Sequence, residues 1–266
     1  MNDTPAEPRL SATVLLIRDR GELEVLMVAR HYQIDFAAGA LVFPGGKAND
    51  EDSFEGWDAY TDGDYGDEQQ TSRIASVREA YEESGVLLAR SADNRGPGAP
   101  LVGNGIAERL APMRHAVDRG EQSFLELVKE HDLVLALDAL VYFGHWITPV
   151  MMPKRFNTHF YIARAPDDQI ASHDGRETTD AKWLKPSEAL KMGEAGEATI
   201  IFPTRMNLEK LSRVKTSADA IERFSGAPVV TVLPKVSKTD SGEPCLLIPV
   251  EADYCQTVEL LSKVKV

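Results

Sequence analysis

The sequence predicts an α+β domain, a mixed sheet held between helices. Three stretches carry that expectation. Residues 12–30, ATVLLIRDRGELEVLMVAR, hold two leucine-rich and β-branched runs about a turn at RDRGE, which reads as a hairpin. Residues 70–85 have helical periodicity, and Gly85 is placed to end the helix. DALVYFGHWITP at 138–149 and RFNTHFYIARAP at 155–166 read as two strands rich in aromatic and β-branched residues.

The remaining elements follow in order. LVF at 41–43 is a short strand, and PGG at 44–46 must turn sharply. Residues 50–68 carry many carboxylates and no Lys or Arg, with turn chemistry in TDGDYGD. This stretch is expected to be a solvated surface excursion, because so little apolar area cannot offset the cost of ordering the chain. Ser123 begins an S-x-x-E capping signature and a helix. With IAERLAPMRHAV before it, this makes a small helical segment over about 105–130. DAKWLKPSEAL runs from strand into helix with proline near the helix start. PTRMNLEKLSRV is an amphipathic helix, and APVVTVLPKV and CLLIPV suggest two short terminal strands. The expected organisation is one domain over 11–225, with insertions at about 50–69 and 92–132. Residues 226–266 would be an extension packed on the same domain.

Composition excludes several classes. The chain has 266 residues, 43% hydrophobic and 27% charged, with net charge −13 and a pI near 5.0. Such a surface repels polyanions, so no nucleic acid and no anionic membrane is expected as a partner. Cys245 and Cys255 make neither a disulfide framework nor a four-ligand zinc set. The opening MNDTPAEPRLSA is polar and bears proline, unlike a signal peptide. No apolar run approaches the roughly 20 residues of a membrane span. The expectation is a soluble, cytoplasmic protein whose oligomeric state is left open, a homodimer included.

VREAYEESGV, residues 77–86, places Glu79, Glu82 and Glu83 within five positions. At roughly 100° per residue, Ile74, Val77 and Tyr81 form one stripe and the three glutamates lie nearly opposite it. They are therefore expected on one accessible face. Like charges at this spacing cost a few tenths of a kcal/mol per pair. A bound Mg²⁺ or Mn²⁺, which prefers oxygen ligands, would reverse that cost. A solvent-facing acidic stripe is the alternative. Consecutive glycines upstream let backbone approach a ligand closely. Arg78 sits within the acidic run, where it can orient a carboxylate. The six histidines show no metal-ligand spacing in the sequence.

PGG…REAYEESGV resembles the Nudix box, G-x5-E-x7-R-E-U-x-E-E-x-G-U with U apolar. Gly46, Arg78, Glu79, Ala80, Glu82, Glu83, Gly85 and Val86 match it. The hairpin, GALVFPGG, HWITP…RFNTHFYIA and RETTDAKWLKPSEAL are similar to the successive strands and second acidic loop of a Nudix domain. The glycine and arginine stand 14 positions apart in the family and 32 apart here, an insertion of about 18 residues. The glutamate of the first half is therefore not placed: Asp52 falls six after Gly46 and Gln70 eight before Arg78. A box split in this way, with HWITP and RFNTHFYIA, is similar to the coenzyme A diphosphatase subfamily related to the mammalian Nudix 19 enzyme.

The resemblance implies an α/β/α Nudix-like sandwich with an acidic insertion inside the box and a helical insertion. It implies a Mg²⁺- or Mn²⁺-dependent hydrolase of a nucleoside diphosphate linked to another group, CoA or acyl-CoA foremost. Glu79 and Glu83 would be principal metal ligands, Glu82 a further ligand or one acting through water, and the Gly46 carbonyl would complete the set. Arg78 would orient Glu79. The base would be Glu79 or Glu177. Arg155 would clamp a phosphate, or else be a surface arginine at a strand start. Trp146 and Phe156 would stack on adenine, or else be buried sheet aromatics. The alternatives are an ADP-ribose, dinucleotide or nucleotide-sugar pyrophosphatase, a non-catalytic Nudix-fold ligand sensor, and a diphosphate isomerase. The intact R-E-x-x-E-E speaks against the sensor, and the lack of a cysteine near the box against the isomerase.

Overall fold

The computed structural model describes residues 6–30 and 39–264; residues 1–5 of the polar N-terminal stretch lie outside it. β1 (Arg9–Arg20) and β2 (Glu22–Arg30) form the expected antiparallel hairpin. β3 (Leu41–Val42) and β4 (Gly45–Lys47) follow, and α1 (Asp67–Ser84) ends at Gly85. Gly85 has φ 73° and its N–H donates to the Tyr81 carbonyl at 2.9 Å, the left-handed termination that glycine adopts without strain. β5 (Ala89–Ser91) and β6 (Leu133–Leu135) pair antiparallel, and between them lie α2 (Asn104–Leu110), α3 (Arg114–Asp118) and α4 (Phe124–Glu130), the helical segment. Ser123 caps α4 by accepting from the Glu126 N–H. β7 (Val141–Ile147), β8 (Phe156–Arg164), β9 (Thr178–Leu184), α5 (Pro186–Ala195) and α6 (Phe202–Leu211) fall where the sequence puts them. α7 (Ser217–Phe224) does not follow from the pattern; Thr216 caps it and the Asp19 carboxylate accepts from Ser217 N–H and Oγ–H. β10 (Thr231–Val232), β11 (Lys235–Lys238), β12 (Pro244–Leu247) and β13 (Val258–Leu260) complete the chain.

The main sheet has eight strands among the described residues, in the order β10-β7-β8-β1-β2-β3, with β4 on β1 and β9 on β2. It is mixed: β1 runs parallel to β8 and antiparallel to β2. The unbroken apolar run of β1 has a physical reason. Alternate residues point to opposite faces, and both faces are covered. Val14 and Leu16 join a cluster with Leu26, Ile74, Val77, Tyr81 and Tyr161, on the α1 side. Leu15 and Ile17 join Phe143, Trp146, Phe160, Phe202 and Leu208 on the other. Leu246, Ile248, Ala252 and Tyr254 belong to that second cluster, so the C-terminal extension contributes to the same core. No helix among the described residues is long and apolar enough to cross a membrane.

Two expectations are corrected here. The acidic stretch lies at the surface with most of its residues exposed, as expected, but it is anchored rather than freely solvated. Trp57 is 1% exposed, lies in the α1-side core, and packs against Phe124 with ring centroids 5.8 Å apart; its indole N–H donates to the Glu51 carbonyl. Asp52 is also 1% exposed. The charge count hid one aromatic anchor and one buried ion pair, which suffice to fix the segment. Nor does α1 present an accessible face. Every residue of 72–84 is buried, because the sheet covers one side while the acidic segment and the helical insertion cover the rest.

The second cluster contains a buried lysine. The Lys210 Nζ donates to the carbonyls of Phe143 at 3.1 Å and Ala252 at 3.4 Å, among the rings of Phe143, Phe224 and Tyr254. Burial pulls its pKa down to about 8, only partly offset by Asp253. Above about 8 the folded chain has released this proton while the unfolded chain keeps it up to 10.5. Stability should therefore rise between pH 8 and 10 by up to about 3 kcal/mol. Urea melts at pH 7, 8, 9 and 9.8 would show the rise in wild type; in Lys210→Met it should be absent.

Candidate active site

α1 crosses the sheet, so its two halves face different strands. Its C-terminal half lies over β4, where Gly46 pairs with Ala12 of β1. A Cβ placed on Gly46 would stand 2.5 Å from the Glu79 carboxylate, so only glycine lets this carboxylate and the strand approach so closely. The Gly45 N–H donates to Glu83 Oε2 at 2.9 Å. Glu79 and Glu83 thus share the start of β4, where Gly45 and Gly46 are extended and paired with β1 rather than forming the sharp turn expected of PGG.

Arg78 ties Glu82 to Glu79. Its Nη1 donates to Glu79 Oε1 at 2.9 Å and to Glu82 Oε2 at 2.7 Å. Its Nε and Nη2 grip the Asp52 carboxylate, and Nη2 also donates to the Lys47 carbonyl. One planar fork therefore joins α1, the acidic segment and the end of β4, a geometry that lysine could not reproduce. Asp52 is the residue that counting six from Gly46 reaches, where the Nudix pattern has glutamate. Its carboxylate, one methylene shorter, is spent on Arg78. The spacing was a usable signal that residue type obscured.

The electrostatics are costly. Glu79, Glu82 and Glu83 are 7%, 6% and 3% exposed. Burial raises Glu79 against the pull of Arg78. Burial pushes Glu82 up to about 8, again against Arg78. Burial and then the neighbouring Glu79 raise Glu83 well above the carboxylate range, although the Gly45 N–H and Arg30 oppose them. Arg78 stays charged despite its burial, because Glu79 and Asp52 surround it.

The end of α1 is fixed from three directions. Arg114 Nε donates to the Glu82 carbonyl at 2.6 Å, Ser172 N–H to the Ser84 carbonyl, and Thr178 Oγ to the Glu83 carbonyl. Residues 174–178 form a loop in which the Asp174 carboxylate accepts from the N–H groups of Arg176, Glu177 and Thr178. This brings Glu177 near enough for its charge to raise both Glu79 and Glu83. Among the described residues the Glu177 carboxylate makes no hydrogen bond.

The expected substrate residues lie apart from this cluster. Arg155 is 9% exposed, with Nε on the Thr148 carbonyl and Nη1 on the Ala6 carbonyl, so its guanidinium holds chain segments together at the start of β8. Trp146 is 4% exposed, donates to the Tyr254 hydroxyl, and packs edge-on against Phe202 and Tyr254 in the core opposite α1. Neither is disposed to meet a ligand. Phe156 is half-buried beside Arg155. A cavity of about 600 Å³ lined by Arg18, Asp19, Arg20 and Trp183 contains none of the candidate glutamates.

A family model described as the NUDT19 Nudix domain matches residues 58–211. The chain belongs to this family of Nudix domains. The match takes in the Arg78–Val86 half of the box and begins beyond Gly46 and Asp52. The acyl-coenzyme A diphosphatase NUDT19 of Xenopus laevis is 27% identical over 229 residues, 71% of this chain and 60% of that protein. The human protein of the same name is 30% identical over 153 residues, 55% of this chain and 40% of that protein. The chain therefore spans at most three fifths of the length of these two relatives. A NUDIX hydrolase from Alicyclobacillus acidocaldarius has the same fold, with TM-score 0.71 at 24% identity, covering 84% of this chain and 99% of that one.

The donor set fits the divalent ion that the family implies. Two buried carboxylates meet at the start of β4, in a space that a single methyl group would fill, and all the donors are oxygen. They fit it unevenly: Arg78 Nη1 holds both Glu79 and Glu82, while Glu83 accepts from the Gly45 N–H. Among the described residues, the group whose donor atoms all lie within 4.8 Å of one another is a different one, Glu68, His145 and His159.

Proposed function

We propose that this NUDT19-family domain is a Mg²⁺- or Mn²⁺-dependent pyrophosphohydrolase that cleaves the diphosphate of CoA or acyl-CoA. The observation that carries the reading is the placement of Glu79 and Glu83, buried and electrostatically strained, at Gly45 and Gly46 of β4. A divalent ion bound there supplies neutralisation of the diphosphate and a lowered pKa for attacking water. Glu79, Glu83 and the Gly46 carbonyl would hold it. Arg78 fixes the Glu79 carboxylate, and Glu82 helps fix Arg78. Glu177, whose carboxylate is not committed to another group, would take the proton from the attacking water at its carboxylate oxygen. The choice of CoA is supported by the relatives' names and by the split box.

Arg155 no longer supports phosphate recognition. Arg30, at the end of β2, replaces it in this reading. Its charge is felt at Glu83, and its buried Nε has no hydrogen-bond partner among the described residues. With Mg²⁺ present, kcat/KM should be at least about tenfold higher for CoA than for ADP-ribose, a difference of about 1.4 kcal/mol. Arg30→Ala should lower kcat/KM by one to two decades for CoA, dephospho-CoA and ADP-ribose alike, since all share the diphosphate. A tenfold preference for ADP-ribose would move the assignment to the nucleotide-sugar class. No cleavage of any diphosphate with either ion would favour a ligand sensor.

A further inference from the structure

α1 begins sixteen positions before Glu83, and its start lies over a different part of the sheet, against β8, where Ser72 Oγ is 2.6 Å from the Tyr161 hydroxyl. Glu68 of the first turn, His145 of β7 and His159 of β8 bring one donor atom each within 4.8 Å of the others. The two histidines are cross-strand partners, and their rings stack with centroids 4.3 Å apart at 19°. His159 Nε2 stands 2.9 Å from Glu68 Oε1. His145 Nε2 touches Asn157 Oδ1, and Asn157 Nδ2 lies 3.3 Å from the same Glu68 oxygen. Both Nε2 atoms therefore face the Glu68–Asn157 side.

The other nitrogen of each ring is already held. His159 Nδ1 is 2.9 Å from the Tyr142 hydroxyl, and His145 Nδ1 is 2.8 Å from the Thr231 hydroxyl. Both hydroxyls can accept an Nδ1–H, the outer support that usually fixes a metal-binding histidine and leaves Nε2 as the ligand atom. In that tautomer each Nε2 lone pair faces another acceptor, Glu68 Oε1 or Asn157 Oδ1. Two such acceptor–acceptor contacts are unfavourable unless a cation lies between them. The rival arrangement moves both protons to Nε2, with the hydroxyls donating to Nδ1, and yields a plain hydrogen-bonded network.

We propose that Glu68, His145 and His159 form a second cation site, for a transition metal of the zinc class, that clamps the start of α1 to β7 and β8. Two imidazoles and a carboxylate suit Zn²⁺ or Co²⁺, whereas Mg²⁺ and Mn²⁺ favour all-oxygen sets. Asn157 Oδ1 is the nearest further oxygen. The site is distinct in chemistry and position from Glu79 and Glu83, and it stands whether or not the reading of those glutamates holds.

The test uses full-length protein stripped with EDTA and titrated with Co²⁺ in the presence of excess Mg²⁺. The expected result is one equivalent of Co²⁺ with visible d–d absorption of low coordination number, and a rise in Tm with Zn²⁺. His145→Ala and Glu68→Gln should each weaken Co²⁺ binding at least tenfold and remove the Zn²⁺ shift. Both positions are more exposed than His159, so these variants should fold; their metal-free Tm and circular dichroism check that. Glu83→Gln should bind Co²⁺ like wild type. The proposal is overturned if wild type takes up no Co²⁺ under these conditions, or if His145→Ala and Glu68→Gln, correctly folded, bind it as wild type does. It is also overturned if Glu83→Gln alone abolishes the signal, which would assign the ion to the glutamates.

Discussion

Glu83→Gln should lower kcat by at least about 100-fold while making the metal-free protein more stable. The loss follows from removing one of the two carboxylates that meet Gly45 and Gly46 of β4, where an ion would hold and polarise the diphosphate. The gain follows from burial. Glu83 is 3% exposed, and its carboxyl is raised well above 4.5 by burial and by Glu79. A group raised in this way contributes stability that is fully present below its ordinary pKa and lost as pH rises toward the folded value. At pH 7 that loss is in force, and glutamine removes it while keeping an oxygen to accept the Gly45 N–H. The gain should shrink as pH falls toward 4.5, where wild type is protonated in both states. A surface position would give less than about 0.5 kcal/mol either way. Chemical melts in EDTA at pH 5, 7 and 8, with turnover at saturating Mg²⁺, check both halves. Full turnover, or a net destabilisation at pH 8, would remove Glu83 from the site as drawn here.

Arg78→Ala should destabilise the fold by about 3–5 kcal/mol and abolish activity. Arg78 is 4% exposed and is the counter-charge of Asp52, Glu79 and Glu82. Removing one member of a buried ion set leaves the others unpaired, which costs far more than the set itself contributes. Arg78→Lys should recover only part of the loss, since one ammonium cannot reach Asp52, both glutamates and the Lys47 carbonyl together. Asp52→Asn in the Arg78→Ala background should cost much less than in wild type, the non-additivity expected of groups sharing one network. If the two substitutions add, Asp52 and Arg78 are independent and the acidic segment is not fastened through them.

The elements themselves were legible. The 12–30 hairpin, the helix ending at Gly85, the Ser123 cap and the strands around HWITP and RFNTHF are each announced by a pattern within a few residues, and each lies where its pattern puts it. The R-E-x-x-E-E-x-G run was equally legible, because residue type and spacing along one helix fix which side chains start out near one another. α7 escaped because its anchor, the Asp19 carboxylate, lies on β1, nearly two hundred residues earlier in the chain.

What the sequence by itself determined is the order of most strands and helices before α7, the family, and the helix that carries the glutamates. Tertiary structure alone decided whether those glutamates meet solvent or protein. A helical wheel has one sheet-facing side, but α1 is enclosed by segments from before and after it, so the supposed open face is buried and its charges become strained. Tertiary structure alone also decided that Trp57 enters the core, that Arg155 and Trp146 serve packing, and that Glu68, His145 and His159 converge. In each case the deciding partner is remote in sequence, and burial and charge pairing are properties of that partner's position in space, which no local spacing encodes.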